Sequence, residues 1–188
     1  ERFTQLKILV LGDFILDEFV FGEISRISRE APVLILNYRR TDTAPGGGAN
    51  TVSNVAQLGA KPIPVGFLGR DEAADRLLSA WSDRVNQDYV FQDTAFQTTR
   101  KSRLLAGSFH SFQQQVVRLD YEHPCRLEEE HEQKILTSLS KLVPEVNALI
   151  LSDYSLGAIS PGIREAALSL ATEHEKIIVV DSRDHPDS

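Results

Sequence analysis

Four short, almost uninterrupted apolar runs constrain this chain more than anything else in it: Leu6–Leu11, Pro64–Gly69, Ala148–Leu151 and Ile177–Val180. A strand with one wet face alternates apolar and polar residues. A run without alternation belongs to a strand covered on both faces, as in a parallel sheet. Between and after these runs lie segments with helical spacing. One runs from Ala49 to Leu58, with residues 49, 52, 55 and 56 on one face and Gly59 as its stop. Asp71 to Asp83 places Ala74, Leu77, Leu78 and Trp81 together, so Trp81 reads as core and not as a cofactor platform. Glu128 to Leu142 offers Ile135, Leu139 and Leu142, and Ser160-Pro161 opens a helix running to about Thr172. Strand and helix in turn, with short joins, predict right-handed βαβ units and an α/β domain whose parallel sheet is covered on both faces.

Length and charge narrow the function. At 188 residues the chain suffices for one well-buried domain. A net charge of −7 argues against nucleic-acid or anionic-membrane partners, while leaving room for a local basic patch that holds one phosphate. The single cysteine, Cys125, permits no internal disulfide and fits a reducing compartment. No apolar run approaches the roughly 20 residues of a membrane span, and the chain reads as cytoplasmic. It begins Glu1-Arg2, has no methionine, and ends just after a strand, which suggests a piece of something longer.

Two stretches break the alternation. Phe19–Ile24 and Val33–Tyr38 are strand-like with no helix between them, which predicts a small β excursion serving as a flap over a ligand or as a dimer contact. Thr98–Leu105 and Gln115–Asp120 predict an antiparallel pair turning at Gly107-Ser108. Within it Lys101 and Arg103 share one strand face, suited either to gripping a phosphate or to guarding an edge strand with charge. The chain returns from the first excursion through Pro45-Gly46-Gly47-Gly48-Ala49-Asn50, where the missing side chains allow a sharp turn and close approach of a ligand to a helix N-terminus. The same glycines would also serve as a plain flexible joint or a hinge. At the end of the first strand, Asp17 is placed to accept hydrogen bonds from sugar hydroxyls, and the alternative is that Asp13 or Asp17 caps a turn. The acidic run Glu128–Glu132 reads as a solvated first helical turn favoured by the helix dipole, and the five histidines show no ligand spacing, so no metal site is expected.

Taken in order, these motifs resemble the N-terminal part of a PfkB (ribokinase-like) carbohydrate kinase. The likeness is carried by Gly12-Asp13-x-x-x-Asp17, Ile27-Ser28-Arg29-Glu30-Ala31-Pro32-Val33, Pro45–Asn50, Thr98–Arg103, Arg118-Leu119-Asp120, Leu151-Ser152-Asp153-Tyr154-x-x-Gly157 and Val180–Arg183. Within that family the chain is most similar to the heptose-7-phosphate kinase domain of ADP-heptose synthesis enzymes. The resemblance implies a ribokinase-like three-layer parallel sheet with a small β lid, residues about 19–44 and 98–120 contributing to the lid, and the C-terminal part missing. It implies that Asp17, Gly46, Gly47 and Asn50 bind the acceptor sugar, that Asp153 faces the same pocket, and that Arg183 lies near the nucleotide phosphates. Lys101 and Arg103, with Arg118, are our own addition as cations for the phosphate of a phosphorylated sugar. A homodimer through the lid is a further expectation.

The family's catalytic aspartate lies in a Gly-Ala-Gly-Asp motif, preceded by an Asn-x-x-Glu segment tied to metal and nucleotide, and neither occurs in these 188 residues. No catalytic residue is therefore assigned. ATP and Mg2+ are expected for a complete enzyme and are not expected to bind well to this chain alone. The leading reading is the acceptor-sugar portion of an ATP-dependent sugar kinase. The alternatives are a non-catalytic sugar-phosphate-binding or dimerising fragment, or a PfkB kinase for another sugar.

Overall fold

A computed structural model describes residues 3–107, 112–123 and 126–182. Five strands, β1 (Lys7–Gly12), β4 (Lys61–Gly69), β5 (Val90–Asp93), β8 (Ala148–Asp153) and β9 (Ile177–Ser182), form one sheet in the order β5-β4-β1-β8-β9. All four pairings are parallel. The apolar runs are the strands, and their period of two splits them between two cores. Leu9 and Leu11 of β1 face helices α3 (Glu129–Leu142) and α4 (Pro161–Glu173), packing with Ile135, Leu139 and Ile163. Ile8 and Val10 face the other way, toward α1 (Gly48–Gln57) and α2 (Glu72–Ala80), packing with Val52, Val55 and Leu77. The outermost strand, β9, leaves Ile177, Val179 and Val180 exposed.

A second sheet stands on the first at the carboxyl ends of its strands, in the order β3-β2-β6-β7. Its strands are β2 (Phe14–Ile27), β3 (Leu34–Gly47), β6 (Thr99–Gly107) and β7 (Gln114–Tyr121). β2 leaves β1 after the single residue Asp13, and β3 runs straight into α1. Both strands reach well past the apolar runs read from the sequence, because backbone pairing continues through polar positions; Asp17 thus lies within a strand and not in a turn. The pairing of β6 with β7 is antiparallel, while Ser108 of the expected turn lies outside the described residues.

Three local readings are corrected. Helix α2 ends at Ala80, so Trp81 follows it with extended backbone; the indole is still core, set edge-on to Phe14 and donating from Nε1 to the Ala49 carbonyl at 3.2 Å. His131, inside the acidic run, is buried and not solvated: it lies against Phe67 and Phe96, and its Nδ1 accepts from the Glu128 amide in a capping box. The glycine segment is not a free joint, since Gly46 and Gly47 close β3 and Gly48 opens α1.

Candidate functional site

The carboxyl ends of β1 and β8, the root of the second sheet and the start of α1 converge, which is where open α/β sheets place ligands. In the parallel register of β2 with β6, Asp17 lies beside Lys101 and Phe19 beside Arg103, so all four share a face. Arg103 Nη1 is 2.6 Å from Asp17 Oδ1, and the guanidinium lies 5.4 Å from the Phe19 ring centre. Lys101 is buried, and its ammonium sits 3.2 Å from Glu122. Arg118 is 2.8 Å from Asp120. Each cation picked out as a phosphate ligand therefore faces a carboxylate, and Arg103 faces the one expected to hold the sugar.

Gly46 and Gly47 have distinct reasons to be glycine. A Cβ on Gly46 would stand 2.6 Å from Asp17 Oδ2, so the carboxylate rests against bare backbone. Gly47 has a φ of +53°, and a Cβ there would meet the Ile15 side chain at 2.8 Å and the Asp13 carbonyl at 2.9 Å. Immediately after it, the Gly48 amide donates to the Asp13 carbonyl at 2.9 Å. Asn50 is exposed in the first turn of α1. Asp153 closes β8, and its Oδ1 accepts from the Ser155 amide at 2.9 Å. Arg183 lies outside the described residues.

Tyr154 joins the two halves of the site. Burial raises its hydroxyl pKa above the ordinary range, and the negative charges of Asp181 and Asp17 push the same way. The charges of Asp17 on β2 and Asp181 on β9 are thus both felt at the Tyr154 hydroxyl. The sequence names Tyr154 and Asp13 only as parts of motifs, with turn capping by Asp13 as an open alternative. Asp13 is buried, and its carboxylate caps a distant loop, accepting three backbone amides from residues 154–158. A signal was available in Gly12-Asp13 at a strand end, but no local pattern names donors 141 to 145 positions away.

On the opposite face of β2, Glu18 is also buried. It accepts from the Ser102 hydroxyl and lies 3.4 Å from both Arg76 of α2 and Arg100 of β6, tying the lid root to the main domain. A hollow of about 30 Å³ lies between Asp13, Thr98, Thr99 and Leu156. A larger groove of about 740 Å³ runs elsewhere, between β5 and α3, lined by Tyr89, Phe91 and Lys141. It is an open surface groove in which Lys134 pairs with Glu130, away from the carboxyl ends of β1 and β8.

No protein-family model matches the chain. Among curated proteins it is 34% identical over 185 residues to the bifunctional protein HldE of Bradyrhizobium sp. (strain ORS 278), a match covering 97% of this chain and 37% of that protein. HldE of Koribacter versatilis is 36% identical over 179 residues, covering 94% and 35%. The chain thus spans little more than a third of these relatives. Among solved structures, phosphofructokinase-2 from Escherichia coli with fructose-6-phosphate superposes with a TM-score of 0.63 at 18% identity, over 95% of this chain and 55% of that one. Arabidopsis thaliana ribokinase with ribose and ATP gives 0.59 at 15%, over 95% and 53%. By sequence the chain is a homologue of the bifunctional HldE proteins over the span it matches, and its fold is ribokinase-like.

Proposed function

We propose that this chain supplies the acceptor-sugar half of an ATP-dependent sugar kinase, with heptose 7-phosphate as the sugar. One observation carries the reading: the Asp17 carboxylate rests on the bare backbone of Gly46 at the lid root, beside the carboxyl ends of a parallel sheet. A carboxylate so placed accepts from two sugar hydroxyls, and stripped backbone lets the ring approach closely. Asn50 adds a donor and an acceptor at the start of α1, Asp153 a second carboxylate from the other side, and Gly47 the turn between lid and helix. Closure of the lid would exclude water and orient the hydroxyl to be phosphorylated.

Lys101 and Arg103 are the cations for the sugar's own phosphate, with Arg118 beside them, and they reach it by exchanging their present carboxylate partners. ATP with Mg2+ supplies the phosphoryl group in a complete enzyme. Arg183 is the one residue of this chain assigned to that side. No catalytic base is assigned within it.

A homodimer through the lid fits the exposed Val117, Leu119 and Tyr121 of β7, alternate residues on one face. Among the described residues no helix is long and apolar enough to cross a membrane, and the working compartment proposed is the cytoplasm. Titration calorimetry with heptose 7-phosphate, fructose 6-phosphate and ribose tests the reading. Binding of heptose 7-phosphate that Asp17→Asn abolishes supports it. Equal heat from all three sugars, unchanged by Asp17→Asn, overturns it.

A further inference from the structure

Asp13 lies where three parts of the site meet, and every polar group it owns is used to hold them. Its amide donates to the Ser152 carbonyl at the end of β8, at 3.1 Å. Its carbonyl accepts from Gly48 at the start of α1, at 2.9 Å. Its carboxylate reaches the loop after β8: Oδ2 accepts from Tyr154 at 2.8 Å and Leu156 at 3.2 Å, and Oδ1 from Ala158 at 3.1 Å. Asp17, on the same strand-end segment, follows four residues later.

Within that loop the Ser155 amide donates to Asp153, and the Asp13 carboxylate ties the residues on either side. Ser155 has a φ of 59°, an uncommon conformation for a residue with a side chain, which its surroundings impose, whereas Gly157 takes 97° at no steric cost. The imposing group is a carboxylate 5% exposed, with the Asp153 carboxylate close enough for its charge to be felt. A buried charge beside a like charge is an expensive way to tie down a loop. The expense is visible: burial raises the Asp13 carboxyl above the usual range despite three N–H donors that pull it down. Departures of this kind from the cheapest local solution gather at functional sites.

We propose that Asp13 is the positioning residue of the acceptor site, holding the 153–158 loop so that Asp153 and Tyr154 stand opposite Asp17. The assignment rests on the reading of the strand ends as a sugar site. It requires no contact between Asp13 and the sugar. Asp13→Asn removes one acceptor oxygen and turns an NH2 toward amide donors, and Asp13→Ser leaves a single short acceptor.

The test combines amide hydrogen exchange with heptose 7-phosphate titration on the chain and these variants. Exchange of Tyr154, Leu156 and Ala158 should quicken at least tenfold in either folded variant, with Leu149–Leu151 of β8 unchanged. Sugar affinity should fall at least tenfold. The losses from Asp13→Asn and Asp153→Asn should be less than multiplicative in the double variant, because part of the Asp13 effect acts through the Asp153 carboxylate. Unchanged exchange in the loop, affinity within twofold of the parent, or losses that multiply in the double variant would each overturn the proposal. If Asp17→Asn and Asp153→Asn leave sugar binding untouched, the acceptor-site reading has failed instead, and the exchange rates still decide whether Asp13 holds the loop.

Discussion

Arg103 and Asp17 face each other across neighbouring parallel strands of the lid, guanidinium to carboxylate at 2.6 Å, each about a fifth exposed. The pair fixes the orientation of the residue proposed to take the sugar, and it leaves Arg103 two possible partners: Asp17 now and a phosphate when substrate is bound. Arg103→Met separates the two roles. A phosphate ligand, when lost, weakens heptose 7-phosphate binding and leaves the unphosphorylated heptose unaffected. Loss of an Asp17 holder weakens both alike, by about tenfold, the equivalent of one charge-assisted hydrogen bond. Parallel titrations with the two sugars check it.

Gly46→Ala drives a methyl to within 2.6 Å of Asp17 Oδ2, and the carboxylate must swing away. The backbone there is compatible with alanine, since no positive φ is involved, so the fold should survive. Sugar affinity should drop by roughly ten- to a hundredfold, as expected for a contact displaced by about 1 Å. The melting temperature, followed by circular dichroism, should stay nearly constant.

Glu18→Ala leaves Ser102 and parts of Arg76 and Arg100 without their shared acceptor. Both arginines keep substantial access to water, so the cost should be about 2 kcal/mol, below that of a fully buried broken pair. Urea unfolding measures it, and faster hydrogen exchange at the roots of β2 and β6 would show that the lid is loosened first.

Asp71 caps α2 and also accepts from the Thr98 amide at 2.8 Å, where β6 leaves for the lid. Burial raises its pKa, but the amides of Thr98 and Ala74 outweigh that and hold it below the ordinary value of 3.8. A depressed carboxyl stabilises the fold at pH above its unfolded value and loses that contribution as pH falls through the folded one. Asp71→Ala should therefore cost about 1–2 kcal/mol at pH 7. The gap between variant and parent in urea unfolding should narrow as pH is lowered past 3.8 and below.

Period and composition alone determined that the chain forms a covered parallel sheet with helices on both faces, because burial on two sides forces unbroken apolar runs at Leu6–Leu11 and Ala148–Leu151. The same reasoning marked Gly46 and Gly47, since a backbone that must turn or be approached closely has to shed its side chains. It could not see how far β2 and β3 extend, because ladder hydrogen bonds ignore side-chain polarity. Nor could it pair Arg103 with Asp17, tie Glu18 to Arg76, or give Asp13 its three amides. Those partners lie 86, 58 and 141 to 145 positions apart. An ionic or hydrogen-bonding group carries no mark of its partner in its own neighbourhood of sequence. Only the folded sheet, by setting register and bringing strand ends together, decides which charge meets which.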